Sequence, residues 1–261
     1  MENERFNYVL LKKKLKLEYN FLICLLFLIL LKSTILESET SLRDLNNNES
    51  EIHLVVSKSN NIRFLSYSYE DENPYKIIIN GEEETFYFKF YNLKEDINNI
   101  TLKFNVKIKS CAFMFGGITG ILEIDLSNFD MSQVTSTNSM FSECTNLKYI
   151  NLANINLSSV EDMGSLLFRC YNLKYINLTN INLSSVENMN GMFASLSSLK
   201  SIDLSNLDLS SVIDTQYMFA YCNNLEYINL TNTKLSSVKN MSMMFRDCLN
   251  LASIDLSNLD L

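Results

Sequence analysis

The chain has little of the two residues that most often shape loops. It contains one proline, Pro74, and six glycines among its 261 residues. Asparagine, aspartate and serine are frequent instead, and their side chains bond nearby backbone groups in tight turns. We therefore expect the turns of this protein to be made mainly by these three residue types.

Residues that usually support catalysis are equally scarce. His53 is the only histidine, and no P-loop, dinucleotide-binding or His-Glu-x-x-His motif is present. Zinc would favour clustered Cys-x-x-Cys pairs, and the sequence has none. We therefore predict no catalytic residue, no cofactor and no metal site, and we expect that the protein is not an enzyme.

The charge balance is acidic, with a formal net charge of −8. The lysines are dispersed and form no basic stripe of the kind that binds phosphate backbones. This distribution argues against nucleic acid as a partner.

The first residues have the pattern of an export signal. Four lysines between positions 12 and 16 precede an unbroken apolar run at 21–31, and a polar stretch follows. The order is typical of a secretory signal, and the run is short for a spanning helix, which needs about 20 residues. We predict that residues 1–38 are a signal peptide or a signal anchor, with a buried helix as a third reading. Contact with a membrane is then expected only through residues 21–31 if they are not cleaved.

Residues 39–105 are predicted to form a β-rich capping unit. Asn80-Gly81 is a strong two-residue turn signal between two β-rich runs, which indicates a hairpin. Solenoids need covers of this kind at their ends. The candidate strands are Ile52–Val56, Tyr75–Ile79, Thr85–Tyr91 and Ile100–Ile108.

The rest of the chain, residues 106–261, repeats every 26 residues without insertion or deletion, in six copies. The repeated leucine column is Ile121, Leu147, Leu173, Leu199, Leu225 and Leu251. One short unit cannot bury its own apolar face, so a strict period predicts a solenoid of stacked coils. Because the last copy stops in mid-repeat, we expect either further sequence or an exposed final coil.

Each repeat is predicted to hold a strand, a tight turn and a short helix. Leu147, Ile150 and Leu152 define an inward-facing strand, so that Tyr149, Asn151 and Ala153 face outward. Met189, Met192 and Phe193 have helical spacing. One asparagine column is expected to form a structural ladder between the coils. Its members are Asn128, Asn154, Asn180, Asn206, Asn232 and Asn258.

These motifs resemble those of a known family. Ile124-Asp-Leu-Ser-Asn-Phe-Asp130, Val134, Met140-Phe141 and Cys144-Thr-Asn-Leu147 are similar to the repeat of BspA-like leucine-rich repeat surface proteins, and the likeness covers residues 108–261. The resemblance implies an α/β leucine-rich-repeat solenoid in a secreted or surface-displayed protein of adhesion and protein binding. The pattern departs at Leu166-Leu167, which replace Met-Phe, and at Ile118 and Leu196, which replace cysteine.

The cysteines permit three readings. Cys144 and Cys170 are one period apart, as are Cys222 and Cys248, so each pair should lie on neighbouring coils. Buried free thiols are favoured because Ile and Leu occupy the same column. Disulfides between neighbouring coils and a metal site are the alternatives.

The outward strand face is the candidate binding site. Tyrosine beside small polar residues is typical of contact surfaces, although tyrosine is also common in strands. The candidate residues are Tyr149, Asn151, Tyr175, Asn177, Tyr227 and Asn229. We expect a secreted or cell-surface protein that binds an extended protein or glycan ligand on this face. A passive coat protein and an intracellular adaptor are the alternatives.

Overall fold

A computed structural model of the protein describes residues 50–85 and 90–258. Four strands form its N-terminal part: β1 (Ser50–Ile62), β2 (Lys76–Ile79), β3 (Glu82–Thr85) and β4 (Tyr91–Phe104). The predicted signal segment, residues 1–38, lies outside the described residues, as does the predicted capping unit before residue 50.

The predicted hairpin turn is confirmed. Ile79 pairs with Glu82, and the two linking residues, Asn80 and Gly81, both have positive φ (51° and 87°), as this turn type requires. The predicted return strand, 85–91, is placed too late at its start, because a two-residue turn places the partner strand directly at Glu82, and this strand ends at Thr85. Residues 86–89 of the prediction lie outside the described residues. The predicted strand at 100–108 is part of the longer β4, which ends at Phe104.

Six short strands follow, one in each repeat. They are β5 (Ile121–Asp125), β6 (Tyr149–Asn151), β7 (Tyr175–Asn177), β8 (Ser201–Asp203), β9 (Tyr227–Asn229) and β10 (Ser253–Asp255). Paired strands are parallel and in register at one repeat length, so Ile124 faces Ile150 and Ile150 faces Ile176. A solenoid is therefore confirmed. We call this row of strands the strand ladder.

The N-terminal strands extend the same sheet. β1 pairs antiparallel with β4 on one side and with β5 on the other, where His53 faces Asp125. The sheet order is β3-β2-β4-β1-β5-β6-β7, and β10-β9-β8 form a second sheet. The strand β1 thereby covers the first strand of the solenoid.

The core is a set of columns that run through the coils. Phe115 stacks on Phe141 at 5.7 Å between ring centroids, and Phe219 stacks between Phe193 and Phe245 at 5.5 and 5.8 Å. Leu167 takes the column's position in the coil between the two stacks, and it too is fully buried. The apolar replacements in the repeat therefore preserve the core.

The predicted short helix is wrong. Residues 50–85 and 90–258 contain no helix, and the segment with helical spacing forms consecutive tight turns. Left-handed residues recur four apart in this segment, for example Ser139 with Glu143 and Ser165 with Arg169. A residue with positive φ breaks a right-handed helix. Apolar side chains at spacings of three and four fit a chain of turns as well as a helix.

Backbone bonds in these turns alternate between two targets. Met140 N–H bonds the carbonyl of Thr137 in its own coil, whereas Phe141 N–H bonds that of Leu166 in the next coil at 3.0 Å. Isolated parallel bridges run alongside these bonds from coil to coil. We call this side of the solenoid the turn ladder, and its bridges join Ser110, Ser136, Asp162, Asn188, Asp214 and Asn240.

The predicted asparagine ladder is confirmed in two segments. Asn180 Nδ2 donates to Asn154 Oδ1 at 3.1 Å, and Asn258, Asn232 and Asn206 form a second chain of such bonds at 3.1 and 3.0 Å. All five residues have φ between 55° and 60°, a left-handed conformation that asparagine tolerates well. The column therefore serves both the turn and the stacking of coils.

Candidate ligand-binding face

Two of the predicted tyrosines form a stacked pair on the strand ladder. Tyr149 faces Tyr175 across β6 and β7, with ring centroids 5.6 Å apart and planes at 5°. Tyr175 is 58% exposed, while Tyr149 is half-buried. Burial raises the pKa of Tyr149, and its hydrogen bond with the Asn177 side chain opposes that rise. The pair presents a rigid aromatic surface to solvent.

Tyr227 lies apart from this pair. Its register neighbours are Ser201 on β8 and Ser253 on β10, so its ring has no stacking partner in its column. The structure therefore groups Tyr149 and Tyr175 and separates Tyr227 from them.

The predicted asparagines of the face are already used within the fold. Asn177 Nδ2 donates to Asn151 Oδ1 at 3.0 Å, and Asn151 Nδ2 donates to Asp125 Oδ1 at 3.4 Å. The Oδ1 atoms of Asn151, Asn177 and Asn229 also accept the N–H two residues further on. These side chains hold the turn after each strand.

Ala153 was predicted to face outward, and this prediction is wrong. Its side chain is buried, with 7% of its surface exposed. The period-two alternation ends with the strand at Asn151, because the chain turns immediately afterwards.

The strand ladder is not continuous between β7 and β8. These strands belong to different sheets, although other neighbouring strands of the solenoid pair. Three backbone bonds that recur elsewhere are missing here among the described residues, and their donors would be the N–H groups of Leu178, Asn180 and Lys200. The outward strand face is therefore interrupted after Tyr175.

An open cleft of about 560 Å³ marks this interruption. Residues 174–181 line one side, and residues between Ser201 and Leu207 line the other. The turn ladder remains closed behind it, since Met189 and Phe193 N–H groups bond Asp214 and Met218 carbonyls at 2.9 Å. The coils thus separate on one side only.

The strand residues themselves do not explain the split. Tyr-Ile-Asn is followed by Ser-Ile-Asp both from β7 to β8 and from β9 to β10, and the second pair is hydrogen bonded. The asparagine before a strand does differ. Asn172, Asn224 and Asn250 each donate from Nδ2 to a carbonyl of the preceding coil at 2.6–2.8 Å, a bond we call the asparagine clamp.

Ser198 occupies the clamp position before β8. Its shorter side chain makes no corresponding bond in the part of the chain that the structure describes. The one serine in this column from Asn146 to Asn250 thus coincides with the one unpaired step between β5 and β10. This difference is visible in the sequence, but only the structure gives it a meaning.

The cysteines have a role that the sequence did not reveal. Each thiol donates to a phenylalanine carbonyl 29 residues earlier, at 3.0–3.2 Å, in Cys144, Cys170, Cys222 and Cys248. The five described cysteines are free. The predicted burial is confirmed for Cys144, Cys170 and Cys222, whereas Cys248 is only partly buried. Burial raises the pKa of Cys144 and of Cys222 to about 12, which suppresses the reactive thiolate.

The single histidine lies on β1 beside the strand ladder. Its Nδ1 is 3.1 Å from Thr101 Oγ1, and its Nε2 is 3.5 Å from Glu51 Oε2. Among the described residues, no group of three or more His, Cys, Asp or Glu side chains could hold a metal ion. His53 thus has a hydroxyl and a carboxylate as neighbours.

A search for membrane-spanning helices gives no candidate within residues 50–85 and 90–258. The apolar run at residues 21–31 lies outside that part of the chain.

Comparison with known proteins identifies a family. The family model described as Mycoplasma protein of unknown function, DUF285, matches residues 84–176 and 143–259. The two matches together span more than half of the chain, so the protein belongs to this family. No curated protein and no solved structure matches the chain.

Proposed function

We propose that this is a secreted or surface-displayed repeat protein that binds an extended protein or glycan chain and catalyses nothing. The observation that carries the proposal is the cleft between β7 and β8, which lies beside the exposed ring of Tyr175. Stacked tyrosines supply a large rigid contact area at low entropic cost. The backbone N–H groups of Leu178, Asn180 and Lys200, which lack the bonds that recur elsewhere, can donate hydrogen bonds to the ligand.

An extended ligand suits this geometry best. An open strand edge offers backbone donors and acceptors in a row, and a chain lying along it can use several at once. The cleft also carries Lys174 on one wall and Asp203 on the other. A ligand with both polar and apolar groups therefore fits better than a purely ionic one.

The finer class that we propose is that of BspA-like surface proteins with leucine-rich-type repeats. The repeated Ile-Asp-Leu-Ser-Asn and Met-Phe-x-x-Cys-x-x-Leu motifs support it, as does the match to a family of Mycoplasma proteins. The succession of turns in place of a helix separates this repeat from the α/β form of the leucine-rich repeat.

The proposed location depends on residues 1–38. A reporter fused after residue 38 should enter the secretory route, and the mature N-terminus should begin between roughly 32 and 40. Retention of the fusion in the cytosol would favour the intracellular adaptor.

The binding proposal is tested by a double substitution, Tyr149→Ser with Tyr175→Ser, in the full chain. Wild-type protein is first screened against arrays of glycans and of extended peptides. The double variant should weaken binding of a hit by more than about 2 kcal/mol if the pair is a hot spot. Tyr227→Ser is the matched control, because this tyrosine shares the column but not the stack, and its affinity should stay unchanged.

Two results would count against the proposal. Unchanged affinity of the double variant would remove the binding site from this face. Failure of both arrays to give a hit would favour the passive coat protein.

A further inference from the structure

A second cleft, of about 430 Å³, lies where the N-terminal strands meet the first turns of the solenoid. Its walls come from residues 57–67, Phe90, residues 116–120 and Asn146. Two of these residues, Lys58 and Arg63, are cationic, and none of the lining residues is acidic. Lys58 Nζ lies 4.0 Å from Asp96 Oδ1, whereas Arg63 forms no ion pair with a carboxylate in the described ranges, so Arg63 is the cation that the cleft offers in a chain of net charge −8.

The Arg63 guanidinium is held between aromatic rings. Its central carbon lies 3.6 Å from the centroid of Tyr67 and 6.0 Å from that of Phe90. Its Nη1 is shielded from solvent and has no hydrogen-bond acceptor within the described residues. Buried polar groups in native proteins nearly always have a partner, so this donor is available to an acceptor that a ligand would bring.

The two rings are themselves unusually exposed. Tyr67 is 76% exposed and Phe90 is 47% exposed, and their centroids lie 6.5 Å apart. Each ring thus keeps free surface beyond its contact with Arg63. Since most of the Tyr67 side chain is in solvent, its rotation would open a path for an anion to the guanidinium.

The loop at 116–120 adds backbone donors on the facing wall. The N–H groups of Thr119 and Gly120 donate to no acceptor in the part of the chain that the structure describes. A Cβ atom at Gly120 would lie 2.7 Å from Ile62 Cδ1, so the loop packs closely against a side chain of β1. Asn146 also contributes an Nδ2 group that makes no hydrogen bond there.

We propose that this cleft binds a sugar unit that carries a carboxylate. Arg63 pairs with the carboxylate, since a guanidinium matches its planar geometry. The exposed face of Tyr67 packs on the apolar face of the sugar ring. The Thr119 and Gly120 N–H groups and Asn146 bond the sugar hydroxyls.

The test uses the full chain and three probes: D-glucuronate, D-glucose and inorganic phosphate. Saturation-transfer NMR and calorimetric titration should show saturable binding of glucuronate, with glucose and phosphate at least tenfold weaker. Equal binding of glucose would show that the carboxylate does not contribute to affinity. Equal binding of phosphate would show that the cleft binds anions without recognising the sugar. Either result, or no binding of glucuronate, overturns the proposal.

Variants then assign the binding to this cleft. Arg63→Gln should weaken glucuronate at least tenfold, and Tyr67→Ala should weaken it severalfold. The second variant keeps the test valid if the first fails to fold, because the Tyr67 side chain is largely in solvent. Arg169→Gln is the control, since Arg169 also lies over an aromatic ring, that of Phe168 at 4.8 Å, but outside the cleft. Unchanged binding to Tyr67→Ala, or an equal loss in the control, contradicts the proposal.

Discussion

The two ladders that join the coils respond differently to the same step of the solenoid. From the third to the fourth repeat strand, the turn ladder keeps its bridge between Asn188 and Asp214, while β7 and β8 separate. The turn ladder is joined at several positions in each coil, by alternate backbone N–H groups. The strand ladder has rungs of only three residues. Fewer backbone bonds therefore hold each step closed on the strand side.

This difference shows how a repeat protein can acquire a cleft without losing its core. The columns of phenylalanine, cysteine and leucine lie behind the split and stay buried at Phe193, Cys222 and Leu199. The strand face can therefore separate at one step while the coils remain stacked.

The largest effect is expected from removal of a stacked ring on the turn side. Phe219 is fully buried between Phe193 and Phe245. Phe219→Ala should lower the free energy of unfolding by about 3–5 kcal/mol, because a large cavity forms where the coils meet. Urea denaturation followed by circular dichroism measures the change. A loss below about 1 kcal/mol would show that the stack is not what holds the coils together.

The thiol column should give the next largest effect. Cys222→Ala should cost roughly 1–3 kcal/mol through lost packing and a carbonyl left without its donor. Cys248→Ala is the matched control and should cost less, because Cys248 is only partly buried. Native Cys144, Cys170 and Cys222 should react with a thiol reagent only after unfolding. Fast labelling of Cys222 in the folded protein would contradict the burial of its thiol in the core.

The same thiols make stability depend on pH at the alkaline end. Burial raises the pKa of Cys222 from its ordinary value of 9.0 to about 12, so the folded state keeps the proton that the unfolded state loses. The contribution of the protonated thiols to the free energy of unfolding is therefore complete below pH 9, and it falls as the pH rises towards 12. The difference in unfolding free energy between wild type and Cys222→Ala should narrow across this window. A constant difference would argue against a buried, protonated thiol.

The strict period allowed the solenoid and its strands to be predicted, because a repeat without insertions leaves little choice of register. The same reasoning failed for the segment around Met140-Phe141, since spacings of three and four fit turns as well as a helix. Left-handed residues such as Glu143 and Arg169 carry no glycine signature. The Tyr149–Tyr175 pair was predicted from its column. The cleft was not predicted, because the feature that coincides with it is Ser198, one position in which a single copy differs. Asn146 makes no clamp bond in the described part of the chain although β5 and β6 pair, so the clamp column alone did not point to a cleft.

Restoring the clamp should close the split. Ser198→Asn is expected to place an amide donor near the carbonyl of Tyr171 and to pair β7 with β8. A bond of this kind stabilises by about 0.5–1.5 kcal/mol. Hydrogen exchange at the amides of Leu178, Asn180 and Lys200 should slow.

The reverse change is its control. Asn224→Ser removes the bond to the Ser197 carbonyl and should speed exchange around β9. If exchange at Lys200 is unchanged in Ser198→Asn, the clamp is not the cause of the split.

The smallest effect is expected from substitutions at two asparagines of one column, which lie on either side of the split between β7 and β8. Asn232 both donates to Asn206 and accepts from Asn258, whereas Asn180 has only its bond to Asn154, because the Asn206 amide turns to Ser205 instead. Both residues are left-handed, so replacement by alanine costs each roughly 1–2 kcal/mol of backbone strain. That common cost cancels in the comparison, and Asn232→Ala should be more destabilising than Asn180→Ala by about 0.5–1 kcal/mol for the additional amide bond. Glycine variants at both positions remove the strain and should show the same difference. If the two positions respond equally in both series, the amide ladder adds nothing measurable and the column is kept for its turn conformation alone.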